Sequence, residues 1–251
     1  MKALYTTYRD MRNQAKHFWS VNWVKTLYFN FSKFPFSVAA KLPVYFYGSV
    51  KFSSIAGQVI IDAPIKKAMI GFGQPYEIIT RSNGTAEICL KGMLVFKGAV
   101  QFGKDYFVYI NENARCEMGN MASLGGNGKI ICYDEIVFGD YARIGFESQV
   151  MDSNFHQMID TVTGEKLPMT GKIRIGNYNY FANRISVMQN TTTPDYCTVA
   201  SNSVCNKNYM EATSSSAAFQ PDCFAKIFHA IGCTKKNCWT NGSSFDLISR
   251  T

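Results

Sequence analysis

Ile175-Gly-Asn-Tyr-Asn-Tyr-Phe181-Ala-Asn-Arg-Ile-Ser-Val187-Met-Gln-Asn-Thr-Thr-Thr193-Pro-Asp-Tyr-Cys-Thr-Val199-Ala-Ser-Asn-Ser-Val-Cys205 is the run that decides the fold. Every sixth residue forms one column: Ile175, Phe181, Val187, Thr193, Val199 and Cys205. A small residue often follows, as at Gly176, Ala182 and Ala200. A helix of 3.6 residues per turn would smear a six-residue column within two turns, and an ordinary strand alternates every second residue.

Outward from this run the same step returns at Phe138, Ile144 and Val150, and counts on to His156. Earlier it holds for Met118, Leu124 and Ile130, and for Phe102 and Val108, with slips of a few residues between runs. Gly103, Gly119, Gly125, Gly139 and Gly145 follow the apolar positions there. The spacing predicts a triangular solenoid in which three short strands make one coil and each apolar side chain points inward. Each then stacks on its counterpart eighteen residues later, so that Phe181 lies beneath Val199 and Ile175 beneath Thr193. On this reading the chain divides into an N-terminal helical preface (1–48), a repeat domain (49–210) and a C-terminal extension (211–251) that begins with a Ser-rich stretch. Within the preface, Pro35 and Pro43 end an amphipathic helix expected up to about Phe31.

Composition agrees with a folded β protein. Of 251 residues 47% are apolar and 14% aromatic, which excludes disorder and favours strands over a Leu- and Ala-rich bundle. Lys25, Lys33 and Lys41 interrupt the most apolar N-terminal stretch, so no integral membrane segment is expected. The polar Tyr5–Lys16 stretch does not read as a secretory leader, and the expected location is cytoplasmic. Eight cysteines occur without a C-x-x-C pair beside only three histidines, so no metal site is expected and the thiols read as small buried hydrophobes. The formal charge of +8 suits nucleic acid, a membrane surface or a small polyanion; because the charges form no run, nucleic acid is not expected.

Four segments carry a resemblance. These are Phe138-Gly-Asp-Tyr-Ala-Arg-Ile-Gly145, Met151-Asp-Ser-Asn-Phe-His156, Tyr180-Phe-Ala-Asn-Arg184 with Val199-Ala-Ser-Asn-Ser-Val204, and Phe224-Ala-Lys-Ile227. Together they resemble the hexapeptide-repeat acyltransferases, in particular the bacterial polysaccharide O-acetyltransferase branch. The second is similar to that family's Asp-Ser-Asp-x-His segment and the third to its Trp-Ile-Gly-Asn-Arg. The resemblance implies an all-β, left-handed parallel β-helix, a homotrimer, and acetyl-CoA bound between adjacent β-helices as acyl donor to a carbohydrate. Tyr180 stands where the family has Trp, Ala182 and Ala200 replace glycines, and Phe224 replaces Pro. These departures touch the coenzyme cleft more than the fold.

An alcohol becomes a competent nucleophile only as its proton is taken, so acetyl transfer to a sugar needs a base. His156 is the histidine on the six-residue lattice, at a position where an apolar residue belongs, and the resemblance makes it that base. Asp152 either orients its ring or caps a turn. By the resemblance, Asn127 contacts the acceptor sugar; its Gly-Gly-Asn-Gly setting equally suits a turn asparagine. Tyr180, Ala182, Asn183, Ala200 and Ser201 match the coenzyme-binding corners, and Lys207 meets a coenzyme phosphate or is simply solvated. Residues 157–172 interrupt the repeat after His156 and are expected to fold over the acceptor side. Direct transfer in a ternary complex is the leading expectation. The alternatives are a non-catalytic β-helical trimeric scaffold and acetylation of a small amine.

Overall fold

The computed structural model describes residues 18–74 and 81–210. The extension 211–251, with Phe224–Ile227, His229, Cys223, Cys233 and Cys238, and also His17, lie outside the described residues. Between them run short strands, two to four residues each, joined in three sheets of seven, seven and five strands. Successive strands fall on sheets one, two and three in rotation, and every pairing between strands is parallel. This is a parallel β-helix, the architecture the six-residue step predicts.

The inward column is the predicted one. Phe138, Ile144, Val150, Ile175, Phe181, Val187, Val199 and Cys205 are all buried. Phe181 pairs with Val199 and Val187 with Cys205, eighteen residues apart. Earlier coils are longer: Leu124 pairs with Phe102 and with Ile144. In the lumen this brings like onto like, and Phe46, Phe72 and Phe102 stack with centroids 5.0 and 4.2 Å apart. Small residues at the corners answer to crowding: a Cβ on Gly119 would sit 2.3 Å from the Gly139 backbone, and one on Gly145 2.5 Å from the Ala182 carbonyl oxygen. Sheet three frays at its far end, where isolated bridges at Thr192 replace strands. There Thr193 turns its hydroxyl into the lumen to accept from Asn179 Nδ2 at 2.7 Å, so the Thr191–Thr193 stretch keeps the coil by a buried polar link.

Helix α1 (Trp23–Lys33) covers the first coil. Asn22 caps it by accepting from the Lys25 N–H, and Pro35 stops its continuation before the short helix α2 (Phe36–Ala39). The first strand of the β-helix, Val44–Phe46, lies inside the stretch read as the helical preface. Its free edge is satisfied by side chains of α1: Thr26 Oγ1 accepts from the Phe46 N–H, and Asn30 both donates to the Val44 carbonyl and accepts from its N–H. An exposed parallel edge would leave a row of unpaired backbone groups, and buried polar residues on α1 remove it.

Candidate functional site

Three edges run along the prism, one at each passage between sheets. At the passage from sheet three to sheet one, side chains form a ladder: the Asn120 N–H donates to Asp140, the Asp140 N–H to Asn177 and the Asn177 N–H to Asp195, at 2.7–2.8 Å. Beside it Tyr141, Tyr178 and Tyr196 stack nearly parallel at 5.0 Å. This edge is closed on itself and holds none of the sequence-predicted site residues.

The passage from sheet one to sheet two holds Asn127, Ala182, Asn183, Ala200 and Ser201, with Tyr180 on the adjoining strand. Ala200 and Ser201 are exposed, Ala182 and Asn183 half-buried, and Tyr180 is exposed on the outer face. Ala182 donates its N–H to the Val199 carbonyl and Asn183 its own to Ser201 Oγ, so these corners are stacked one above the other. Asp105, Asn127, Glu147, Arg184 and Asn202 share this edge, and all five have φ between 54° and 62°. Asn127 occupies a left-handed turn position that asparagine adopts at low cost, and its N–H donates to the Lys104 carbonyl at 2.7 Å.

The passage from sheet two to sheet three holds Asp152, His156 and Lys207. Here the coil opens into residues 152–172, an antiparallel hairpin marked by bridges Ser153 to Thr170 and Ile159 to Lys166. Sheet three resumes only at Ile173–Ile175, where Ile173 and Ile175 pair with Ile136 and Phe138. His156 therefore does not sit on the apolar lattice; the six-residue count ran on into an insertion, and the lattice position it seemed to fill belongs to the strand beyond. His156 is exposed on the hairpin and is the one histidine among the described residues.

Asp152 is fully buried at the root of that hairpin. Its carboxylate accepts from the Tyr133 N–H at 2.7 Å and the Asp134 N–H at 2.8 Å, and Cys132 Sγ lies 3.6 Å away. Its own carbonyl accepts from the Gly171 N–H, closing the stem. Burial pushes the carboxyl above the usual aspartate range, against the opposing pull of the Asp134 and Tyr133 N–H groups. The turn that Asp152 accepts from is on the neighbouring coil, at Tyr133 and Asp134, and not the turn before the histidine.

Two residues that sequence reasoning missed complete this edge. Tyr133 stacks on Tyr109 at 5.4 Å and meets Phe155 edge-on at 5.4 Å. Phe155, at φ +62, immediately precedes His156. A chain of contacts thus runs from Asp152 through the Tyr133 backbone and ring to Phe155 and so to the hairpin that presents His156. Tyr109 pairs with Ile131 in a 22-residue coil, a register that the six-residue step does not count. Lys207 lies on the same edge, exposed, its ammonium 5.5 Å from the Tyr209 ring.

The described cysteines at 89, 116, 132, 197 and 205 are buried. Burial raises the Cys116 and Cys132 thiols far above their usual range and brings Cys205 up to about 11. Near Asp152 the chain therefore offers an inert thiol, not a thiolate.

No family model matches this chain, and no curated protein matches it. Among solved structures it is similar to the crystal structure of the polySia specific acetyltransferase NeuO, with 14% identity over 75% of this chain and 87% of that one and a TM-score of 0.36.

Proposed function

We propose that the protein is an O-acetyltransferase that moves an acetyl group from acetyl-CoA to a sugar hydroxyl of a surface polysaccharide or its precursor, with His156 as general base. The observation that carries this reading is His156 itself. It is an exposed imidazole within an Asp-Ser-Asn-Phe-His stretch, on a hairpin rooted in the prism by Asp152 and pinned beside the ring of Tyr133. In the reaction the imidazole takes the proton of the sugar hydroxyl as its oxygen attacks the thioester carbonyl carbon. The new C–O bond forms, the C–S bond breaks, and the departing thiolate recovers the proton from the imidazolium. Buried thiols with raised pKa support direct transfer over an acyl-cysteine intermediate.

In this reading Asp152 is a positioning residue and does not touch the reacting atoms. The coenzyme lies along the small-residue edge at Ala182, Asn183, Ala200 and Ser201, with Tyr180 beside it and Lys207 toward a phosphate; Asn127 faces the acceptor. The enzyme acts from the cytoplasm, the compartment of its acetyl donor. The sheet-two strand Val204–Cys205 runs between Ser201 and Lys207, so the coenzyme edge and the histidine edge are different edges of one prism. Two such edges meet most directly across a boundary between subunits, and this supports a homotrimer with shared sites.

Static light scattering should therefore give three times the chain mass over a range of concentrations. A monomer at all concentrations would remove the intersubunit site. Ala200→Trp should weaken CoA binding by about tenfold or more, measured by calorimetry, with little change in melting, because Ala200 is exposed. Unchanged affinity would move the coenzyme to another edge.

The reaction itself is tested by thiol release from acetyl-CoA over a panel of sugars, nucleotide sugars and amines. The product is then tested for lability to mild alkali, which cleaves an ester and spares an amide. Labile product with sugars is expected. Transfer to amines alone would assign the amine reading, and no transfer to any acceptor would leave a trimeric scaffold.

A further inference from the structure

The N-terminal helix α1 carries apolar side chains on its outer face as well as its inner one. It buries Thr26 and Asn30, the residues that satisfy the edge strand, together with Phe29, which packs on Phe46, while Val24, Leu27, Tyr28 and Phe31 stand exposed at spacings of three and four on the opposite face. Phe36 after the helix meets Phe31 at 6.0 Å and extends the stripe, and Trp19 before it is also exposed; Val24 is 78% and Trp19 80% exposed. A contiguous aromatic and aliphatic surface of this kind is uncommon on a soluble face and marks a contact.

Charge indicates what it contacts. Although the basic residues form no run, they are unevenly placed: residues 1–41 contain seven Lys and Arg against the single acid Asp10, a net +6 of the chain's +8. The described part of this stretch holds no acidic residue; Lys41 is exposed, while Lys25 sits over the Phe52 ring and Lys33 donates to the Gly57 carbonyl. Exposed Lys66 and Lys67 adjoin this end, because the Ala68 N–H donates to the Leu42 carbonyl. Aromatic and aliphatic side chains interleaved with lysine are the composition of a helix lying in a bilayer interface, where rings enter the headgroup region and cations meet anionic lipid. At 11 residues α1 is too short to cross a bilayer, and no helix among the described residues is long and apolar enough to do so.

We propose that the prism end carrying α1 docks on an anionic membrane surface, with the outward stripe of α1 entering the interface and the exposed Lys41, Lys66 and Lys67 on the lipid headgroups. This stands independently of the catalytic reading, since α1 covers the first coil and the histidine hairpin leaves the fifth.

Flotation of the full chain with vesicles of phosphatidylcholine, with and without about 30% phosphatidylglycerol, tests it. Binding to the anionic vesicles should exceed binding to the neutral ones by about tenfold, and should fall as salt is raised from about 0.1 to 0.5 M. Leu27→Glu with Phe31→Glu should lose that binding while circular dichroism and melting stay as in the parent, both side chains being exposed. Should that pair misfold, Lys41→Glu with Lys66→Glu and Lys67→Glu reverses charge outside the helix and should weaken binding to the anionic vesicles alone. Equal binding to both vesicles, binding to neither, or unchanged binding by the folded variants overturns the proposal. If the Leu27 and Phe31 changes instead dissolve an oligomer seen by light scattering, without any vesicle binding in the parent, the face belongs to a second copy of the chain.

Discussion

His156→Ala should lower acetyl transfer by a factor on the order of 10²–10⁴ while leaving the fold, the oligomer and CoA affinity as they are. The size follows from the role: without a base, the sugar hydroxyl must attack before its proton has anywhere to go. Harmlessness to the fold follows from the structure. His156 is exposed, lies off the apolar lattice and donates to no group among the described residues, so its removal opens no cavity and orphans no buried partner. The measurements are steady-state turnover by thiol release, CoA titration calorimetry and thermal melting on the same preparation. Near-full activity in the variant would sink the base assignment. A loss of melting temperature with lost activity would show a structural histidine. If kcat falls while the KM for acetyl-CoA holds, the result fits a group that acts on the acceptor and not on the donor.

Legibility in the sequence had a definite limit, set by what a period can see. The step of six located the lumen because a β-helix repeats its inward residues wherever the coil has its minimal length, and Phe181 over Val199 is such a place. It could not see coil lengths that differ, so the 22-residue register joining Phe102 to Leu124 and Tyr109 to Ile131 was invisible, and Tyr109 and Tyr133 with it. It also counted into the insertion and gave His156 a lattice position that the chain assigns elsewhere. A motif is linear, whereas the prism is not: residues aligned side by side with a family pattern fall on two edges, and only the strand order shows that Ser201 and Lys207 flank opposite sides of sheet two.

The same limit applies to α1. Its apolar spacing was readable as amphipathic, but which face turns inward depends on the neighbour. Here the neighbour is a strand edge that needs hydrogen bonds, so Thr26 and Asn30 are inside beside Phe29, and Val24, Leu27, Tyr28 and Phe31 are left outside.

Asp152→Ala should cost stability as well as turnover, and the two losses can be separated. The carboxylate is the acceptor for two backbone N–H groups eighteen and nineteen residues away in sequence, those of Asp134 and Tyr133. Leaving donors unsatisfied in a buried turn costs about 1–3 kcal/mol each, reduced where water can reach them, so about 2–4 kcal/mol is expected by urea unfolding. Asp152→Asn keeps one acceptor and sets an amide N–H against the second donor, so it should fall between wild type and alanine. Burial holds the Asp152 carboxyl above its ordinary value in the folded state, so folding favours its protonated form. The stabilising contribution of that shift is fully present below the unfolded-state value and is lost as pH rises through the raised folded one. The stability gap between wild type and Asp152→Asn should accordingly be wider in acid than at neutral pH, and a gap that widens toward neutrality would contradict the burial argument. Turnover should fall through the hairpin, because Tyr133 no longer holds Phe155 and the root of the stem loosens. The expected signature is lower kcat with the KM for acetyl-CoA held, since the coenzyme edge is elsewhere, and partial rescue by asparagine. An alanine variant that melts like the parent would remove Asp152 from the chain of contacts leading to His156.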